Sequence, residues 1–251
     1  MTRIVAVIPA RMGSSRFPGK PLATLLGRPM IEHVYRNTAA CRALDDVFVA
    51  TCDLEIASAV EAFGGRVVMT SPTHERASDR VAEAVQHDSA EIVVMVQGDE
   101  PMIRPRMIDE AIAPLLVEPQ LGCVNLVAPI GTIEELRDPN TIKAVMGIDG
   151  NALYFSREPI PVLRGRRFVL GRWHKQVCVI PFRRGALTRF AELPPTPLEQ
   201  AESIDMLRFI EHGDPVRLVP TDVVTHAVDT PEDLRLVEVS LSTEYHVGSL
   251  S

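Results

Sequence analysis

Cysteine is sparse and scattered. Cys41, Cys52, Cys123 and Cys178 are the chain's four, and none stands at metal-knuckle or redox-pair spacing. This excludes a disulfide-stapled scaffold and predicts reduced thiols in a cytoplasmic protein. Positive charge is scarce too. Lys and Arg number 26 against 33 Asp and Glu, a net charge of -7, which is not the basic balance of a nucleic-acid coat. A small anionic ligand needs only local cations and stays open. No apolar run reaches the roughly 20 residues of a membrane span. The apolar run near the start is too short for a secretion signal. There is no internal repeat and no low-complexity linker. Ser14 and Ser15 have no evident base partner, and no histidine stands in a triad-like context, so covalent nucleophilic catalysis is not indicated.

With 251 residues, 46% hydrophobic and 24% charged, the chain can bury a sizeable core as one α/β domain, with or without a smaller attachment. Residues 4–8 form an apolar run closed by Pro9. It reads as a buried strand, although periodicity alone also admits a buried helical segment. Arg11, Gly13, Ser14, Ser15, Arg16, Gly19 and Lys20 follow. Small residues let backbone N–H groups approach an anion, and Arg and Lys neutralise it, so the loop suits phosphate. It is not a Walker A loop, because Pro21 stands where Ser or Thr should follow the lysine. The plainer alternative is a surface loop with solvated cations.

Helix and strand patterns then alternate: helix over 29–41, strand over 46–51, helix from Cys52 or Asp53 to Phe63, strand over 66–70, helix over 78–86 and a nearly all-apolar strand over 91–96. Alternation of this kind predicts a mostly parallel central sheet with helices on both faces, a Rossmann-like α/β fold. Ligands in such folds sit at the carboxyl ends of the strands, here Pro9-Ala10-Arg11, Thr51-Cys52, Thr70 and residues 97–100. After Gly122 the alternation weakens. Strands are expected over 123–128, 142–146, 152–155, 177–182 and 215–219, with a Pro- and Arg-rich loop over 159–172 and one helix over 197–211. Asp229 or Thr230 caps a last helix with Pro231 at its start, and the final ten or so residues read as a frayed tail.

Two aspartates fall at strand ends. Asp99 lies in VQGDEP, where Gly98 and Pro101 suit a turn, and Asp229 lies in VDTPED. Such a pair suits one Mg²⁺, which takes few carboxylates and keeps positions for phosphate oxygens and water. Their ordinary alternatives are a turn residue for Asp99 and a helix cap for Asp229. A cationic loop with metal-binding aspartates suggests a nucleotide whose leaving pyrophosphate needs neutralising. His74, His174 and His226 read as structural or solvated.

Four motifs in order, PARMGSSRFPGKP, VQGDEP, ALYFSREPIP and VDTPEDL, together resemble the 3-deoxy-manno-octulosonate cytidylyltransferases, or CMP-Kdo synthetases. The resemblance extends from residue 4 to about residue 238. It implies a nucleotide-diphospho-sugar transferase fold and a homodimer. It also implies a reaction in which CTP and an acidic sugar give the CMP-sugar and pyrophosphate with Mg²⁺, with no nucleic-acid or membrane partner. One domain is implied, with a nucleotide half over about 1–120, an acceptor and dimerisation half over about 121–240, and a tail over 241–251. By the same resemblance Arg11, Ser14 and Lys20 hold the triphosphate, with Ala10 and Arg16 beside it. Gln97 contacts the cytidine, Arg80 lies beside the nucleotide, and Asp99 and Asp229 bind Mg²⁺. Lys20, Arg11 and Asp99 form the implied catalytic set. Arg157, Gln176 and Asp205 are the implied acceptor residues, and Asn140 and Lys143 also match the pattern.

The chain departs from the family at several positions. Arg76-Ala77-Ser78 replaces Ser-Gly-Thr, and Asp53 stands one place after the usual aspartate. On the acceptor side Gln176 stands for a histidine, Ile180 for a tyrosine, and Asp205-Met206 for Glu-Gln. A pocket that loses hydrogen-bonding partners discriminates differently. The resemblance implies Kdo or a Kdo-like acid as acceptor, and these departures point to the alternative of an acid other than Kdo: a different or modified ulosonic acid, a smaller acid or a phosphonate. Two further readings are a nucleotidyltransferase using another base and a non-catalytic nucleotide-binding regulator on the same fold. Retention of Lys20, Asp99 and Asp229 argues against the regulator.

Overall fold

A computed structural model describes residues 2–13, 16–162, 165 and 167–248. The first part of the chain runs β1 (Ile4–Pro9), a 3-10 turn (Lys20–Leu22), the short hairpin β2 (Thr24–Leu25) and β3 (Arg28–Pro29), α1 (Met30–Ala39) and β4 (Asp46–Thr51). It continues through α2 (Leu54–Ala62), β5 (Val67–Met69), α3 (Ala77–Ala84) and β6 (Ile92–Val96). Then come α4 (Pro105–Val117), β7 (Cys123–Pro129), α5 (Ile133–Arg137), β8 (Lys143–Met146), β9 (Ala152–Ser156), β10 (His174–Val177) and β11 (Val179–Arg183). The chain ends with α6 (Arg184–Glu192), α7 (Pro197–Glu202), α8 (Leu207–Glu211), β12 (Val216–Pro220) and α9 (Pro231–Gly248).

One mixed sheet has the order β5-β4-β1-β6-β11-β7-β10-β8-β9, with β12 beside β7. From β5 to β6 every pairing is parallel. Beyond β6 the path is antiparallel, and β12 joins β7 in parallel. All of β1 and β6 is buried, which is why both read as unbroken apolar runs. Period-two alternation divides β1 between two cores. Ile4, Ala6 and Ile8 pack on Ile31, Val34 and Ile108 from α1 and α4. Val5 and Val7 join Val81, Phe190 and Phe209 from α3, α6 and α8 on the other face. The expected α/β architecture is therefore present.

Three expectations need correction. The helix expected over 197–211 is two helices, α7 and α8, because Ser203 takes a left-handed conformation at φ 55°. After the break Asp205 accepts from Ser78 of α3 and Met206 packs against Cys123 of β7. The strand expected over 177–182 begins earlier and is interrupted at Cys178, so that β10 pairs with β7 and β8 while β11 pairs with β6. The C-terminal segment is not frayed from residue 241: α9 continues to Gly248. Val237 and Leu241 are buried against Leu25, Met30 and Met102, and that apolar contact extends the helix. Helices α5 and α6 were not anticipated. Among the described residues no helix is long and apolar enough to cross a membrane.

Candidate active site

The parallel strands β1, β4 and β6 end at one edge of the sheet and bring their following loops together. The loop after β1 is hung on α2: the Met12 N–H donates to Asp53 Oδ2 at 2.7 Å. It is closed by the Gly19 N–H donating to the Met12 carbonyl at 3.1 Å. Gly19 has φ 72°, a conformation that side chains disfavour, and it launches the 3-10 turn that begins with Lys20. Asp53 occupies the N-cap position of α2 but makes no side-chain cap there; its carboxylate holds the loop instead. Across the edge, a Cβ on Gly98 would lie 3.1 Å from the Pro9 carbonyl and 3.3 Å from Ile31 Cδ1. Glycine therefore lets the β6 end close against β1 and carry Asp99 over the strand ends.

Lys20 Nζ donates to Asp99 Oδ2 at 2.7 Å and to Asp229 Oδ1 at 3.3 Å. Arg16 Nη2 meets the same Asp229 oxygen at 3.0 Å, and its Nη1 donates to Asn140. The Lys20 side chain is 13% exposed. Its burial lowers its pKa, but the charges and hydrogen bonds of Asp99 and Asp229 outweigh this and raise it, so Lys20 is an ammonium. The cap at the start of α9 is made without the Asp229 carboxylate. Thr230 Oγ1 accepts from the Asp233 N–H at 3.2 Å, and Asp233 Oδ2 accepts from the N–H groups of Asp229 and Thr230 at 3.0 and 2.8 Å. Asp229 is thereby left for the cations, so the helix-cap alternative for it is set aside.

Two cavities meet at these carboxylates. One, of about 310 Å³, is lined by Ala10, Arg11, Gly13, Arg16, Lys20, Arg76, Arg80, Gln97, Gly98, Asp99, Asp205 and Asp229. The other, of about 240 Å³, has Asn140, Arg157, Lys175, Gln176, Thr225 and His226 around an apolar floor of Met95, Cys178, Ile180, Ile204 and Met206. Both are lined by Arg16, Gln97, Asp99, Asp205 and Asp229. The predicted residues are thus brought together: Ala10, Arg11, Lys20 and Arg80 on one side, Arg157 and Gln176 on the other, and Arg16, Gln97, Asp99, Asp205 and Asp229 between them. Ser14 lies outside the described residues, as do Arg164 and Arg166 of the basic loop.

The second cavity is shaped by residues that mostly hold one another. Lys143 is fully buried, and its Nζ donates to the carbonyls of Asp138 and Thr141 at 2.9 and 2.7 Å and to that of Arg157. The Arg157 guanidinium lines the cavity while donating to the carbonyls of Glu202, Pro139 and Ser203. Gln176 Nε2 donates to Asn125 Oδ1 at 2.5 Å, and the Asn125 amide is fixed by the carbonyls of Leu126 and Val177. Asp205 accepts from the Ser78 hydroxyl at 2.9 Å. Its burial raises its pKa, against the lowering effect of Ser78 and Arg76. Arg76 spans the boundary, donating to Ser203 Oγ at 2.8 Å with Nε 3.4 Å from Glu199. The sequence departures at positions 76 and 205 are therefore neighbours in space.

Sequence reasoning missed Glu100, Lys175 and Arg208. Glu100 is 2% exposed and accepts from the Cys178 N–H and the Thr225 hydroxyl. Burial, reinforced by the Asp99 charge, pushes its pKa up to about 7. Its place beside Asp99 was the available signal. Lys175 donates to Glu135 and to the Thr225 carbonyl. Arg208 is buried, paired with Glu199 at 2.7 Å and Asp79 at 3.0 Å. Neither had a local sequence signal.

Among the described residues no group of three or more His, Cys, Asp or Glu gathers as a metal site. The two carboxylates that share one cationic partner fit a hard divalent cation that draws its remaining ligands from phosphate and water.

A parallel sheet whose carboxyl edge carries a cationic loop and paired aspartates defines an enzyme of the nucleotidyltransferase class. The sequence profile of the cytidylyltransferase family matches residues 5–218. A 3-deoxy-manno-octulosonate cytidylyltransferase of Geobacter metallireducens is 47% identical over 96% of this chain and 98% of its own. One of Myxococcus xanthus is 45% identical over 94% and 95%. The solved structure of CMP:2-keto-3-deoxy-manno-octonic acid synthetase complexed with CTP superposes with a TM-score of 0.88 at 39% identity, covering 97% of this chain and all of that one. The chain belongs to the 3-deoxy-manno-octulosonate cytidylyltransferase family. The regulator reading is thereby set aside.

Proposed function

We propose that the protein transfers CMP from CTP to the hydroxyl of Kdo and releases pyrophosphate. The observation that carries this reading is the meeting of a cationic cavity and a polar-walled cavity at Asp99 and Asp229. Its support is the CTP complex of a structural relative and the names of the sequence relatives. Arg11, Arg16 and Lys20 hold the triphosphate, with the loop pinned at Met12 and Gly19, and Gln97 and Arg80 flank the nucleoside. Asp99 and Asp229 hold Mg²⁺, which when bound offsets charge on the triphosphate and the departing pyrophosphate. Arg157, Gln176 and Asp205 orient the acid in the second cavity. The sugar hydroxyl oxygen bonds to the α-phosphorus as the bond to the pyrophosphate oxygen breaks, and the hydroxyl proton passes to solvent water. The chain's contribution is alignment and fixed positive charge. We read the protein as a cytoplasmic homodimer, which light scattering at several concentrations checks.

The test is pyrophosphate release with CTP, Mg²⁺ and Kdo beside the same mixture without acceptor, and with UTP replacing CTP. Kdo-dependent release that UTP does not support is the expected result; acceptor-independent release or none overturns it. The apolar floor of Met95, Ile180, Ile204 and Met206 favours a second reading, a less hydroxylated or modified acid. A panel of acids that turned over better than Kdo would establish it.

A further inference from the structure

We infer that Lys20 occupies the place of the divalent cation between Asp99 and Asp229 until the nucleotide arrives, so that metal enters with the nucleotide and not before it. This rests on the reading of the site as a nucleotide and metal site.

The geometry is specific. One ammonium sits 2.7 Å from an Asp99 oxygen and 3.3 Å from an Asp229 oxygen. The Asp229 oxygen is also 3.0 Å from Arg16. The two carboxylates are thus already matched by two cations, the largely buried Lys20 and the half-exposed Arg16. A divalent ion entering the same gap would displace the ammonium or face its charge at close range. Lys20 cannot retreat by moving its backbone, because it follows Gly19, whose N–H is tied to the Met12 carbonyl, and its own N–H bonds the Phe17 carbonyl. Its Nζ can swing only on its four-carbon stem.

The same loop carries the exit. Lys20, Arg11 and Arg16 line the cavity assigned to the triphosphate. A bound triphosphate gives Lys20 and Arg16 new anionic partners and frees the carboxylates. Metal and nucleotide then strengthen each other's binding by the same factor, as linkage requires. Without nucleotide, the lysine guards the carboxylates against free metal.

The experiment titrates the nucleotide-free protein with Mn²⁺ and follows free Mn²⁺ by electron paramagnetic resonance. Wild type is expected to bind weakly. Lys20→Met and Lys20→Gln are expected to bind at least about tenfold more tightly, while Lys20→Arg, which keeps the charge, stays near wild type. Adding Asp99→Asn to Lys20→Gln should abolish the gain. With α,β-methylene-CTP the wild type should tighten by a larger factor than Lys20→Gln. Circular dichroism melts verify that each variant is folded. Equal Mn²⁺ affinity in wild type and both neutral variants, whether weak or tight, overturns the inference. This binding readout is separate from turnover. A gain that depends on Asp99 without Kdo-dependent pyrophosphate release would sustain the lysine's role and sink the proposed reaction. Turnover with Mn²⁺ affinity indifferent to Lys20 would do the opposite.

Discussion

The two cavities are built in opposite ways. The nucleotide side takes its cations largely from one short loop, Arg11 to Lys20, tied at Met12, Gly19 and Asp53. The acceptor side gathers residues from separate segments, around positions 97–100, 138–142, 157, 175–180, 203–206 and 225–229. The first arrangement leaves a motif in the sequence. The second depends on buried polar groups holding distant segments in place. Function on the acceptor side should therefore be sensitive to residues that never touch substrate, and function on the nucleotide side much less so.

The largest test strikes where the two sides join. Asp99→Ala should cut pyrophosphate release about a thousandfold, the scale of losing a principal electrostatic group. Its melting temperature should hold, because Lys20 retains Asp229 as a partner. A loss below tenfold would mean the aspartates do not mark the reaction point.

Arg208→Met probes the buried scaffold. Arg208 is 2% exposed, bonds Glu199 twice and lies 4.2 Å from the centre of the Phe190 ring. The variant removes the nearer cation of buried Glu199 and leaves it only Arg76 Nε at 3.4 Å, and urea unfolding should show a loss of about 3 kcal/mol.

Glu100→Gln tests the acceptor wall through pH. The folded protein holds the Glu100 proton up to about pH 7 against an ordinary carboxylate value of 4.5. A raised carboxylate pKa contributes its stability fully below the unfolded value, and that contribution is lost as pH rises through 7. Metal-free wild type should lose about 3 kcal/mol across this window from this group, at about 1.4 kcal/mol per pKa unit. The glutamine variant should lack that slope in unfolding curves measured from pH 4.5 to 8.

The smallest effect separates the cavities directly. Gln176→Ala should raise the KM for Kdo about tenfold, one hydrogen bond's worth, with the KM for CTP unchanged. Arg11→Ala should do the reverse, since Arg11 lines only the nucleotide cavity. If each variant moved both constants equally, the two cavities would act as one site.

Much of this was open to reading in the chain itself. The all-apolar runs over residues 4–8 and 92–96 are buried on both sheet faces, and burial of that kind needs no distant information to be recognised. The loop from Arg11 to Lys20 is local, so its cations and glycines appear consecutively. Asp99 and Asp229 stood out because each follows or precedes a regular element. The sequence therefore determined the parallel half of the sheet, the anion-binding loop and the pair of acidic positions.

Tertiary structure decided the rest. Whether Asp229 caps its helix or faces the site depended on Thr230 and Asp233 taking the cap. Whether residues 197–211 form one helix or two depended on the turn at Ser203 and on Arg208 drawing Glu199 into the core. The partnership of Arg76 with Ser203 and Glu199 joins positions more than 120 residues apart. Local pattern reports which face of an element is apolar; it does not report which distant polar group will meet which. That pairing is fixed only when the sheet closes and each buried donor must find an acceptor.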